Sequence, residues 1–379
     1  MTTTESRAEA PANASSMVAE AHRGGVEVVE RWADAWRNLC DEAVDDQPFY
    51  RPEWIAAHIR AFTPKARVVL LTASFEGRLM FVLPLLQEWS VFSGVPLRVL
   101  RGPVNSHSCR FDAVRRLGPY GDAAVGAAWN YLQSLRDWDL LELRDAPEGG
   151  TISALALAAA NAAVHAAQVP QRRNPYVPVP ADPSDLRKLP VNARLRGKLR
   201  QIRRELDSQG GLKFHRVDKA DRSVLEHFYQ LESAGWKGTE GSAIACSPET
   251  RQFYDEISQT AERFGYLCMY SLELNGELLA SHFGLSHKGR YFSPKIAYNE
   301  KFPQYAPGHL IVSEILQECS SRGISEYDIT GVDDDWKMKW ASQSRAKFTY
   351  FIFRRGFLGS LVHALRFRLR PAIKKLVRR

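Results

Sequence analysis

Between residues 266 and 340 the spacing of apolar positions switches repeatedly, and each switch marks an element. Residues 267–274 and 277–285 are apolar, partly alternating runs separated by Asn275-Gly276, the strongest short signal for a two-residue hairpin turn. They predict two antiparallel strands. His287-Lys288-Gly289 makes a second turn, and residues 291–298 supply a third strand. The polar loop 299–306 then leads to Pro307-Gly308, after which Leu310, Ile311, Glu314, Ile315 and Cys319 keep the 3.6-residue period of a helix. Gly323 stands where a left-handed C-terminal cap belongs, and residues 324–329 close the unit as a strand. A glycine in the first helical turn lets a diphosphate approach backbone N–H groups at the positive end of the helix dipole, although the same residues also make an ordinary cap.

The first half carries an echo of this order. Residues 68–75, Glu76-Gly77 and residues 78–87 read as a hairpin, residues 122–135 as a helix and residues 139–143 as a strand, with an additional stretch at 96–117. Six prolines between residues 169 and 190 predict a short, stiff linker at the boundary. The Ala-rich stretch 153–169 is a helix candidate interrupted by Asn161 and His165, and is too short and polar to span a bilayer. The fold class is therefore α/β (α+β): two mixed, mostly antiparallel sheets flanked by helices.

Hairpin, third strand, loop, helix and strand is the core order of the GNAT acyl-CoA transferases, which this chain resembles. Trp236-Lys237-Gly238, Lys295 with Tyr298, Pro307-Gly308, Asp328 with Gly331, and Lys337 with Trp340 look like the motifs of the CelD/BcsL group. That group is associated with bacterial cellulose biosynthesis and is related to the Fem aminoacyltransferases. The resemblance covers residues 26–353 and is specific in the second half; one departure is that residues 304–308 are poorer in glycine and basic residues than the usual GNAT pyrophosphate loop. It implies tandem GNAT-like domains, a degenerate N-terminal one at 23–180 and the acyltransferase domain at 181–353; composition adds a disordered N-terminus at 1–22 and a basic amphipathic tail at 354–379.

Acyl transfer from a thioester needs a positioned donor, stabilisation of the developing oxyanion and a route for the acceptor proton. The donor implied is acetyl-CoA or another acyl-CoA, with its diphosphate at Pro307, Gly308 and the N–H groups of His309 and Leu310. The resemblance assigns the thioester carbonyl to the backbone at Ile296 and Ala297. For the proton the candidates are His282, Tyr298 and Asp328; His282 also reads as a satisfied core histidine, and Asp328 as a loop cap. Lys295 lies in an otherwise apolar strand and needs a partner or a cleft edge. Lys337 with Trp340 forms one candidate acceptor wall and Trp236 with Lys237 the other, with Gly331 nearby. Asp333, Asp334 and Asp335 lack the alternating spacing of a calcium loop and read as a solvated turn, so no metal is expected.

Charge changes the picture only at the end of the chain. The formal net charge is +8, but residues 354–379 hold nine Lys or Arg and no acid, and the 42 basic residues left without them face 43 acidic ones. Leu358, Leu361, Val362, Leu365 and Leu369 share a helical face beside Arg366, Arg368 and Arg370, and Pro371 should end that helix. Such a helix suits an anionic membrane surface, or packs its apolar face on the body. A second basic helix sets Leu195, Leu199, Ile202 and Leu206 opposite Arg196, Lys198, Arg200, Arg203 and Arg204. No aromatic residues interleave there to stack on bases.

The five dispersed cysteines have no metal spacing, and the Ser106-His107-Ser108-Cys109 run reads as a loop. There is no nucleophile elbow, H-E-x-x-H, P-loop or G-x-G-x-x-G motif, and no basic start followed by an apolar core, so a cytoplasmic protein, peripheral at the inner membrane, is expected. Three functions follow. The first is acyl-CoA-dependent N- or O-acylation of a small-molecule or saccharide acceptor in exopolysaccharide or cellulose-related metabolism. The second is a Fem-like aminoacyltransferase, the only reading that brings in tRNA. The third is a noncatalytic GNAT-like scaffold.

Overall fold

The computed structural model describes residues 17–369; residues 1–16 and 370–379 lie outside the described residues. Two compact units emerge, one built from residues 1–171 and 347–379 and the other from residues 172–346. The expected boundaries at 180 and 353 therefore move, for a reason visible in the strands.

In the first unit the chain runs β1 (Met17–Gly24), α1 (Glu27–Asp41), α2 (Pro52–Phe62), β2 (Arg67–Phe75), β3 (Arg78–Phe92), β4 (Val95–Arg101), β5 (Val114–Arg115), α3 (Pro119–Ser134), β6 (Leu140–Pro147), α4 (Thr151–Asn161) and β7 (Ala166–Pro170). The second contains β8 (Asn174–Pro178), α5 (Ala193–Ser208), β9 (Leu212–Val217), α6 (Arg222–Ala234), α7 (Trp236–Thr239), α8 (Pro248–Arg263), β10 (Met269–Leu274), β11 (Glu277–His287), β12 (Arg290–Tyr298), α9 (Pro307–Ser321), β13 (Glu326–Asp328), α10 (Asp335–Met338) and β14 (Gln343–Arg345). Then β15 (Lys347–Phe353) and α11 (Phe357–Ala364) rejoin the first unit.

The two sheets share a plan. The first is ordered β1-β2-β3-β4-β6-β15-β7, with β5 also on β3; the second, read from its other end, is β9-β10-β11-β12-β13-β8-β14. In each, the fourth and fifth strands pair in parallel, β4 with β6 and β12 with β13, and the other neighbours are antiparallel. The strand seated between the last two is foreign to its own half of the sequence: β15 separates β6 from β7, and β8 separates β13 from β14. Regular structure therefore occupies the expected linker. Pro170 closes β7 and Pro178 closes β8, where a missing N–H costs least, while Pro175 lies within β8, where its carbonyl accepts from Ile329 N–H at 3.2 Å.

Local sequence explains the second sheet. Asn275 and Gly276 adopt φ of 52° and 84°, the doubly left-handed turn that matches strand twist. Helix α9 ends in a Schellman motif: Ile324 N–H donates to Cys319 O at 2.9 Å and Gly323 N–H to Ser320 O at 3.1 Å, with Gly323 at φ 69°. The apolar stripe Leu310, Ile311, Ile315, Cys319 faces the core with Tyr270, Tyr291 and Tyr327.

Other expectations shift. Residues 17–22, expected to be disordered, begin β1, an edge strand held by ladder bonds to β2 rather than by an apolar period. The Ala-rich helix stops at Asn161 and its expected remainder turns into β7. The apolar face expected on the tail helix is divided: Val362 is buried against the first unit's sheet, whereas Leu358, Leu361 and Leu369 are exposed, and Arg370 and Pro371 lie outside the described residues.

Candidate functional site

Strands β12 and β13 share only three pairs, Arg290 with Glu326, Tyr291 with Tyr327, and Phe292 with Asp328. Beyond Phe292, β12 continues alone along β11 after an irregularity at Ser293-Pro294, where a proline does no harm because the ladder is already broken. The edge of β12 from residue 293 to residue 298 is thus released from its parallel partner. Asn299 N–H donates to Leu279 O on the β11 side at 2.8 Å, so alternation sends the Ala297 N–H to β11 as well and turns Ile296 and Tyr298 toward the released edge. Ile296 confirms the phase, since its carbonyl accepts from Lys237 Nζ at 2.6 Å. Of the two backbone positions expected to receive a thioester carbonyl, Ile296 faces the edge and Ala297 does not.

The first turn of α9 stands beside Tyr298. A Cβ on Gly308 would lie 3.2 Å from Tyr298 Cδ1, so the absence of a side chain brings backbone and ring together. The preceding Ala306 is left-handed at φ 44°, an uncommon conformation for a residue with a Cβ. His309 and Leu310 N–H groups both donate to Ala306 O, at 2.9 and 3.0 Å, and Pro307 has no N–H, which leaves the Gly308 N–H to meet an anion. Of the expected donor set at 307–310, His309 and Leu310 thus have their N–H groups engaged within the turn. The His309 ring accepts from buried Trp340 Nε1 at 3.0 Å, and burial, with Lys339 and Lys198 nearby, lowers its pKa.

The opposite face of β12 carries Lys295. On α6 the buried stripe Leu225, Phe228, Tyr229 ends in an acid, Glu232. Its Oε2 accepts from Ile244 N–H at 2.8 Å; its Oε1 lies 3.0 Å from Lys237 Nζ and 3.5 Å from Lys295 Nζ. Lys295 Nζ also sits 5.7 Å from the centre of the Tyr254 ring. Burial lowers the pKa of Lys237 against the pull of Glu232, and the neighbouring charges of Lys295 and Lys337 lower it further. Gly238, third in the Trp-Lys-Gly run, is required sterically, because a Cβ there would stand 1.8 Å from Ser233 O. Trp236 itself is half exposed and donates its N–H to Glu300 Oε1 at 3.0 Å.

Where β13 ends, Asp328 is fully buried: its Oδ1 accepts from Asn174 Nδ2 at 3.0 Å and Thr330 N–H at 2.8 Å, and its Oδ2 lies 3.3 Å from Arg345 Nη1. Those donors hold Thr330 left-handed at φ 54°, a strained position for a β-branched residue. Thr330 Oγ1 donates to Ser293 O at 2.7 Å, and Thr330 O accepts from Lys337 Nζ at 3.0 Å. A Cβ on Gly331 would lie 2.9 Å from that Nζ. Lys337 and Trp340, expected on one wall, diverge: the lysine turns to the Thr330–Gly331 corner and the tryptophan enters the core.

Two proton-transfer candidates change role. His282 is completely buried, its Nδ1 is 2.9 Å from Ser293 Oγ, and burial, assisted by Lys237, pushes its pKa down to about 3, so it stays neutral. Asp328 spends its oxygens anchoring the loop. Tyr298 is the candidate beside the released edge. Sequence reading missed Glu232, whose signal was a carboxylate at the next position of an apolar helical stripe, and the Asn174, Ser293, Thr330 and Arg345 supports, which no local pattern marks.

Residues 193–338 match the family model described as an acetyltransferase (GNAT) domain. The chain has a GNAT-type fold. The crystal structure of FemX, 11% identical, aligns over 92% of this chain and 99% of that one with a TM-score of 0.59. L-PGS from Bacillus licheniformis, 12% identical, aligns over 88% of this chain and 96% of that one at 0.52. The C-terminal domain of a putative lysylphosphatidylglycerol synthetase from Agrobacterium fabrum, also 12% identical, covers 89% and 95% at 0.51. At these identities the likeness is one of fold. No curated protein matches the sequence.

Proposed function

We propose that the second unit is an acyl-CoA-dependent N- or O-acyltransferase acting on a sugar, a polysaccharide precursor or a cell-envelope intermediate of the kind associated with the CelD/BcsL group. The observation that carries this reading is the release of β12 from β13 beside the first turn of α9. The donor diphosphate meets the Gly308 N–H and the positive end of α9, and the thioester lies along the edge where the Ile296 and Tyr298 N–H groups are turned out. The acceptor nitrogen or oxygen attacks the carbonyl carbon and releases its proton to water, the C–S bond breaks, and the Tyr298 hydroxyl protonates the leaving thiolate and takes a proton back from water. Calorimetric titration with acetyl-CoA, a longer acyl-CoA and free CoA tests this: saturable binding lost in Gly308→Trp is expected, and no binding to any of them overturns it.

A second reading, Fem-like transfer from aminoacyl-tRNA, draws on α5. There Arg196 donates to the carbonyls of Arg187, Leu189 and Val191, and Arg203 pairs with Asp207 and Glu314, while Lys198, Arg200 and Arg204 remain exposed. Steeply salt-dependent tRNA binding that falls in Lys198→Gln/Arg200→Gln favours it.

The tail reading is also a proposal. Exposed Phe357, Leu358 and Leu361 beside a chain end rich in Lys and Arg suit an anionic bilayer surface. Because Val362 belongs to the first unit's core, Phe357→Ser/Leu361→Ser is a cleaner test than deletion. About tenfold weaker sedimentation with anionic vesicles is expected, and equal sedimentation sinks the membrane role.

A further inference from the structure

Glu232 holds two ammonium groups on one oxygen, although a single lysine would neutralise it. The Glu232 side chain is 0% exposed, and those of Lys237 and Lys295 only 17% and 14%. The second carboxylate oxygen is taken by the Ile244 N–H, so the local account is two positive charges against one negative in a nearly dry place. Lys237 spends a second donor on Ile296 O. Lys295 has the longer ion pair to Glu232 and the Tyr254 ring, and its ammonium carries three N–H donors. On the other side of the released edge lies Lys337, whose Nζ donates to Thr330 O at 3.0 Å and stands 3.6 Å from Asp334. Excess charge with so little water costs free energy unless an anion completes it.

We infer that the acceptor taken by this site carries an anionic group, a phosphate or a carboxylate, which completes the Glu232–Lys237–Lys295 cluster. The inference rests on the acyltransferase reading for the word acceptor, and the position decides it. Strand alternation puts Lys295 on the α6 and α8 face of β12, whereas Tyr298 and Gly308 lie on the α9 face where the donor enters. An anion bound at Lys295 therefore belongs to the molecule arriving from the side opposite the donor. A neutral sugar or amine lacking that anion leaves the cluster uncompensated and is discriminated against.

Thermal unfolding of the full chain with inorganic phosphate, and separately with acetate, against chloride at equal ionic strength tests the cluster without any donor. Phosphate or acetate should raise the wild-type midpoint by several degrees, and whichever acts more strongly identifies the acceptor's anion. Lys295→Met should raise the starting midpoint and abolish the response, while Glu232→Gln should lower it and be partly rescued by the anion. If neither anion acts beyond chloride, or if Lys295→Met lowers the midpoint as Glu232→Gln does, the cluster is a structural triad and the inference fails. Acetyl-CoA calorimetry on wild type and Lys295→Met separates the two ideas. Unchanged donor affinity with no anion response leaves the acyltransferase reading standing alone. An anion response without donor binding leaves the anion site and removes the acyl-CoA reading.

Discussion

The two units share one strand order yet treat the equivalent strand in opposite ways. In the second unit β12 crosses from its β13-paired half to its free half through Ser293-Pro294 alone. In the first unit the corresponding strand is cut in two: β4 pairs with β3 and β6, β5 pairs with β3 at Phe81 and Val82, and residues 102–113 intervene. That insertion is bolted down by buried polar groups. Phe111 N–H donates to Asp145 O at 3.2 Å, Lys347 Nζ to Cys109 O at 3.0 Å, Arg110 Nη1 to Gln47 Oε1 at 2.8 Å, and Asp112 accepts from Thr151 and Ile152 N–H at the start of α4. Polar side chains thus do different work: in the first unit they secure inserted backbone, and in the second Lys237, Lys295 and Lys337 gather along a released edge. A shared fold licenses neither role by itself.

The sharpest way to break this comparison is at the two equivalent helix starts. Gly121 follows Pro119 in α3, and a Cβ there would stand 1.9 Å from Arg116 O, against backbone that cannot step aside. Gly121→Ala should cost about 4 kcal/mol or more of stability by denaturant unfolding. Lys347→Met should cost about 3 kcal/mol, because it strips a buried ammonium from Asp145 and Cys109 O, and should leave acetyl-CoA affinity untouched. Gly308→Trp should do the reverse. It should weaken donor binding about 100-fold, or about 2.7 kcal/mol, and lower the unfolding midpoint far less than Gly121→Ala, because the atoms nearest a Cβ there belong to the Tyr298 ring, at 3.2 Å, rather than to backbone.

The smallest effect concerns one buried histidine in each unit. Burial pushes His58 down to about 4 and His282 to about 3, from an ordinary value of 6.5. A base with a depressed folded value contributes stability that is complete above pH 6.5. That stability drains as pH falls, because only the unfolded chain accepts the proton, and the loss ends near pH 4 for His58 and near pH 3 for His282. At pH 5 each should account for roughly 2 kcal/mol. His282→Asn and His58→Asn should each flatten the acid limb of the stability profile; an unchanged slope in both would show that other groups control it.

The strands and helices of the second unit were legible because their signals are local: a turn dipeptide, a helical period, a glycine cap. What the sequence hid was long-range. Residues 174–178 carry two prolines and look like a linker, yet they form an interior strand because β13 and β14 supply partners far along the chain. Residues 347–353, expected inside the second domain, pair instead with β6 and β7. At the site, Lys295 could be picked out as a charge in an apolar strand, Gly308 at a helix start, and Lys237 and Lys337 through the family resemblance, but Glu232 could be given its role only once α6 was seen to carry it between Lys237 and Lys295. His282 and Asp328 were singled out because their strands should line the cleft, and both are completely buried.

The crossed strands also set an order of birth. A ribosome delivers β6 and β7 long before β15, so the first sheet waits with a vacant lane while 175 further residues, 172–346, emerge and fold around β8 at their own start. A chain truncated anywhere before residue 347 would expose two unpaired strand edges at that lane, an invitation to aggregation or to borrowing the strand from another molecule.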